Sequence, residues 1–150
     1  MAQPVGPLSG PPIGLQLAST AKAVSRAFED ALAQAGGSGP IWLVLISLKT
    51  HPVRNQRELA EAVGIREATL THHLNAMDAR ALVTRRRDPA NRRVHLVEIT
   101  PEGEAAFHRL RAAAVAFDAR LRRGIGGEEV AAFAQTLDRL RSNVTAPAPH

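Results

Sequence analysis

Cysteine and tyrosine are both absent from this chain, and aromatic residues make up only 3% of it. Without cysteine there are no disulfides, no Cys-ligated zinc and no direct thiol sensing of peroxide. Scarce aromatics leave few rings on which unpaired bases could stack, which argues against recognition of RNA or single strands. No apolar run reaches the roughly 20 residues that a membrane-spanning helix requires. The Pro- and Gly-rich start, Met1 to Pro12, has no basic region leading into an apolar core, so it reads as a loose tail rather than a signal peptide. A soluble, cytoplasmic protein without a membrane partner is expected. Signatures of catalysis are missing too: there is no Gly-rich phosphate loop, no serine elbow and no paired carboxylates in an evident pocket. The six histidines are scattered and include no His-x-x-x-His pair. Neither an enzyme nor a metal or cofactor is expected.

The charge that is present is unevenly placed. The formal net charge is +5, and between Arg85 and Arg93 five arginines and one aspartate give a local excess of four positive charges within nine residues. Only two lysines occur, so an arginine-heavy composition accounts for some of these residues, but not for their clustering. A field of this kind favours polyanions, with binding that depends strongly on salt.

A chain of 150 residues can form one compact domain, or a small module with long helices that need a partner. The apolar spacing favours the second. Leu17, Ala21, Val24, Phe28 and Leu32 form the stripe of an amphipathic helix, which Gly36, Gly37 and Gly39 end. Pro40 suits a first helical turn, and Ile41 to Leu48 is apolar almost throughout, predicting a helix buried on most sides, with Trp42 as core. His51-Pro52 breaks it. Asn55 is an N-cap for a short helix carrying Leu59, Ala60 and Val63, and Gly64 supplies a turn.

The next helix spans about Arg66 to Arg80. At about 100° per residue, Leu70, Leu74 and Met77 point inward, while Ala68, His72, Asn75 and Ala79 point outward. Thr69 and Thr71 lie on the flanks, and His73 lies nearer the apolar edge, as a packing or phosphate-facing residue. Strands are expected at Thr84 to Arg87 and Val94 to Ile99, joined by the turn formers Asp88 to Arg93. Because Arg85, Arg86 and Arg87 alternate along a strand, only part of that run can face one partner. Thr100-Pro101 opens another helix. Phe107, Leu110, Ala114, Phe117 and Leu121 are spaced three and four apart, and after a glycine-rich break Val130, Phe133, Leu137, Leu140 and Val144 repeat that rhythm. Such a seam needs a packed partner, and the small central module cannot cover it, so a homodimer is predicted.

The run Ala68 to Met77, the stretch Ala81-Leu82-Val83-Thr84-Arg85, and Asp88 to Arg93 with Ile99-Thr100-Pro101-Glu102-Gly103 together resemble the multiple-antibiotic-resistance regulator (MarR) family of bacterial transcription factors. The similarity covers nearly the full chain, leaving out the two tails. It implies a mainly α fold with a small β wing: a winged helix-turn-helix over 40–100, dimerisation helices over 13–35 and 101–145, and tails over 1–12 and 146–150. It further implies a homodimeric, ligand-responsive repressor bound to a pseudo-palindromic operator in double-stranded DNA, with a small aromatic effector. The dimer interface would draw on Leu17, Phe117, Leu121, Val130, Phe133, Leu137 and Leu140.

Carried over by position, the resemblance places Thr69, Thr71 and His72 at the major groove and Arg93, with Arg92 as runner-up, at a wing tip in the minor groove. Asp88 would orient those arginines. Asn55 and Gln56 would offer donors to phosphate, Ala68 would admit the backbone close to the bases, and Asn75, His73 and Arg85 would complete the face. Two positions depart from the family pattern: Ala81 stands where glycine is frequent, and His72 where arginine is frequent. An effector pocket is expected near Trp42 and His51. The competing reading is a helical dimer module that uses its winged helix for protein contacts.

Overall fold

The computed structural model describes residues 10–147, so the tails expected at 1–12 and 146–150 lie largely outside it. Among the described residues nine elements follow in chain order: α1 (Ile13–Gln34), α2 (Gly39–Thr50), β1 (Val53–Asn55), α3 (Gln56–Val63), α4 (Glu67–Ala79), β2 (Val83–Arg87), β3 (His95–Ile99), α5 (Pro101–Leu121) and α6 (Gly127–Thr145). Residues up to Ala114 form one compact unit, and residues from Val115 onward form a second.

In the first unit the core is made by the side chains that the apolar spacing marks. Leu32, Val44, Leu45, Leu48, Leu59, Leu70, Leu74, Met77, Val97 and Leu110 are all essentially sealed from solvent. Each such Leu or Met contributes about 1.5–3 kcal/mol by leaving water. The α1 stripe is engaged only at its C-terminal end: Leu32 is buried and Phe28 and Val24 are half-buried, whereas Ala21 and Leu17 are exposed. Helix α2 is less enclosed than its composition predicts. Leu43 and Ile46 are 45% and 37% exposed, because a helix with apolar residues on every side still presents only part of its circumference to one core.

The loop between α1 and α2 is fixed by polar contacts. Ser38 Oγ accepts from Ile41 N at 3.3 Å, and both carboxylate oxygens of Glu29 accept from Gly39 N, at 3.0 and 3.1 Å. Together they satisfy donors at the start of α2 that have no intrahelical acceptor.

Strands β2 and β3 pair antiparallel from Val83↔Ile99 to Arg87↔His95. Val94 belongs to the turn rather than the strand, since its N–H bonds Asn91 O and its carbonyl accepts from Asp88 N. Strand β1 is not foreseen in the sequence. It adds to the outer edge of β3 through Val53↔Glu98, Arg54↔Val97 and Asn55↔Leu96, giving the order β1-β3-β2. Three residues are too few to show a period of two, and their partners lie more than forty positions away.

Helix α5 begins with a Thr100 cap, whose hydroxyl oxygen accepts from Gly103 N at 2.9 Å. Gly103 is required by packing, because a Cβ there would collide with the carbonyl oxygen of Leu82. In the second unit, α6 has no buried residue; Phe133 is 58% exposed, while Val130, Leu137 and Leu140 are half-buried. Among the described residues no single helix is long and apolar enough to cross a membrane.

Candidate nucleic-acid interface

Helices α3 and α4 make a helix-turn-helix. Asn55 caps α3 by accepting from Glu58 N at 2.7 Å, and Gly64, with φ of 77°, ends it in the left-handed conformation that only glycine adopts cheaply. Leu70, Leu74 and Met77 anchor α4 in the core, which leaves Ala68, Thr69, His72, Asn75 and Ala79 exposed on the opposite side. The adjacent histidines part as the helical period requires: His72 is exposed and His73 half-buried, their rings edge to face at 5.6 Å.

Thr71 is differently employed. Its hydroxyl donates to Glu67 O at 2.9 Å and accepts from Gln56 Nε2 at 2.6 Å, so the side chains of Thr71 and Gln56 lock α3 to α4 instead of standing free. The Asn55 oxygen is likewise committed to the cap, leaving its amide NH₂ as the available donor.

The wing sorts its arginines into distinct roles. Arg85 Nη2 lies 3.0 Å from Asp78 Oδ2 on α4, so it is paired with an acid and is not a free contact. Arg86 lies 4.0 Å from Glu98, and Arg87 Nη1 donates to Arg92 O at 2.9 Å, bracing the turn. Arg92 and Arg93 are exposed, and neither guanidinium has a hydrogen-bond or ion-pair partner among the described residues. Asp88 differs from the expectation. Its carboxylate accepts from Ala90 N at 2.9 Å, an Asx turn that shapes the wing backbone, and it holds neither Arg92 nor Arg93. A carboxylate two residues from a backbone N–H in a tight turn reaches that donor before a long side chain beyond it.

Two grooves flank α4. One, of about 400 Å³, is lined by Asn55, Gln56, Arg57, Glu67, Arg93, Val94 and His95. The other, of about 640 Å³, is lined by Gln56, Thr71, Asp78, Arg85, Arg86, Arg87 and His95. His95 borders both and is absent from the sequence-derived set. Strand parity could have found it, since His95 pairs with Arg87 and shares a face with Val97. Trp42 and His51 do not come together. Trp42 stacks on Phe107 at 5.5 Å, while His51 Nδ1 lies 2.8 Å from Arg54 Nη2 beside Glu58 and Glu61.

A helix-turn-helix followed by a two-stranded, arginine-tipped hairpin defines a winged-helix protein. Residues 39–95 match the MarR family. The chain is 28% identical over 103 residues to YdgJ, an uncharacterised HTH-type transcriptional regulator of Bacillus subtilis (strain 168); the match covers 68% of this chain and 63% of YdgJ. Its fold is similar to the PcaV transcriptional regulator of Streptomyces coelicolor, with a TM-score of 0.77 and 22% identity over 87% of this chain and 98% of that one. PcaV has also been solved in complex with its natural ligand. The transcriptional repressor CouR, bound to a 23-mer DNA duplex, superposes with a TM-score of 0.77 at 27% identity, covering 94% of this chain and 99% of CouR. Through this winged helix, residues 39–95, the chain is similar to the MarR family.

Proposed function

We propose that this chain is a homodimeric transcriptional regulator that reads an inverted-repeat operator in double-stranded DNA, represses from it, and releases it on binding a small aromatic molecule. The observation that carries DNA reading is the exposed α4 strip of Ala68, Thr69, His72 and Asn75, set beside a wing whose tip presents Arg92 and Arg93 unpaired among the described residues. A helix of this exposure and length fits the major groove, and an arginine fits the narrow minor groove, where negative potential is enhanced. Donors at the start of α3, including Asn55 Nδ2, are suited to phosphate. The structure of CouR on a duplex supports the same docking.

Dimerisation is supported by the apolar side chains left open on α1 and along α5 and α6, among them Leu17, Leu121 and Phe133. In a symmetric pair the two α4 helices would sit about one helical turn, roughly 34 Å, apart. Effector release rests on the likeness to PcaV, and thermal-shift screening with small aromatic acids tests it. Regulation rather than catalysis is supported by the likeness to MarR-family regulators and by a surface built for contact. A DNA reader of this kind acts in the cytoplasm, where a bacterial chromosome lies.

The direct test is gel-shift binding to duplex DNA across a salt series. Binding that weakens steeply as salt rises, with a linear log–log dependence, supports the proposal. Failure to bind any duplex in dilute buffer would leave the protein-contact reading in its place.

A further inference from the structure

The groove between α4 and the wing contains one acidic side chain, Asp78, among Arg85, Arg86, Arg87 and His95. Asp78 follows Thr71 by seven residues and so shares its flank of α4, facing the hairpin. Its Oδ2 accepts from Arg85 Nη2 at 3.0 Å and from Nε at 3.4 Å. Arg85 lies on the same strand face as Arg87, and pairs across the hairpin with Val97 as Arg87 does with His95, so both arginines face this groove. The side chains of Arg85 and Asp78 are 25% and 47% exposed. A pair this open adds little to folding, because solvent screens it.

We infer that Asp78 limits how much of the basic wing a duplex can engage: by holding Arg85, it withdraws one phosphate contact per protomer and so favours base reading over non-specific phosphate binding. The inference rests on the DNA-binding reading above. Sequence-independent affinity grows with the number of phosphates neutralised, each adding about 0.9 to the slope of log affinity against log salt. An arginine tied to a carboxylate does not release counterions from DNA. Freeing it in both protomers adds two contacts, and these strengthen binding to every sequence alike.

The experiment measures wild type, Asp78→Asn, Arg85→Gln and the double variant against a random-sequence duplex, with potassium chloride varied between about 50 and 200 mM, and follows thermal unfolding in parallel. Asp78→Asn is expected to keep its thermal midpoint, to bind the random duplex about three- to tenfold more tightly at the low-salt end, and to steepen the slope by about 2 per dimer. Arg85→Gln is expected to bind more weakly than wild type, because it leaves Asp78 unpaired facing the duplex. The double variant is expected to return to the wild-type slope. An unchanged or shallower slope in Asp78→Asn, a loss of affinity, or a double variant that matches Asp78→Asn would overturn the inference while leaving DNA binding intact. A wild type that binds no duplex would remove both.

Discussion

Ala81 sits at φ of 57°, the one residue other than glycine with positive φ among those described. It occupies the turn after α4, where its N–H bonds Asp78 O, Leu82 N–H bonds Met77 O, and its own carbonyl accepts from the Thr100 hydroxyl. A side chain in this conformation costs about 1–2 kcal/mol. Ala81→Gly is therefore expected to stabilise the fold by about 1 kcal/mol, after allowing for the greater freedom of glycine in the unfolded chain, and to raise the thermal midpoint by roughly 2–4 °C. A lower midpoint on calorimetry would contradict this. The departure from the family pattern at residue 81 was legible in the sequence; the strain it causes is a backbone fact that follows from it. The roles of Asp88, Thr71 and Arg85 were not legible, because each depends on which of several reachable partners a side chain meets. At the wing tip, Arg93→Ala is expected to weaken binding to all duplexes and to flatten the salt slope by about 2 per dimer, whereas His72→Ala shifts the preferred base by about 1–3 kcal/mol of discrimination. Equal losses on every sequence for both variants would show that the recognition helix and the wing do not divide the work.

Among the elements, α4 shows most clearly what periodicity can and cannot deliver. Its inward stripe of Leu70, Leu74 and Met77 is buried and its outward strip exposed, as a 100° step dictates. Its polar contacts are non-local: Gln56 from α3, Arg85 from β2, and Arg80 just past its end, whose Nη2 donates to Gly36 O at 2.6 Å. None of these can be read from spacing along one helix. Strand β1 is unmarked in the sequence for the same reason, since its ladder partner is the distant edge of β3. The junction between β3 and α5 depends on Gly103, which passes against the Leu82 carbonyl. Gly103→Ala is expected to cost about 1–3 kcal/mol in urea denaturation, since backbone rather than a flexible side chain must give way. An unchanged midpoint would mean that α5 shifts freely, against the close approach seen here.

For the whole molecule, the apolar seam of α6 decides the argument, because a helix of 19 residues with none of them buried gains little from its own chain. Phe133, the most exposed ring position along it, contributes to no core described here, so Phe133→Glu is expected to leave the winged helix folded by circular dichroism. The same change should weaken self-association at least 30-fold, or about 2 kcal/mol, with operator binding lost alongside. A variant that remains dimeric by sedimentation would place the interface elsewhere. The 3-4 rhythm that marks this seam was visible from the start, and it signals a partner without naming one.

Symmetric pairing and DNA reading meet in a single measurement, the selection of bound sites from a random duplex pool. A symmetric dimer with paired α4 helices is expected to enrich an inverted repeat whose half-site centres lie about 10 base pairs apart, one helical turn. Recovery of a lone asymmetric half-site, or of no enriched sequence at all, would contradict it.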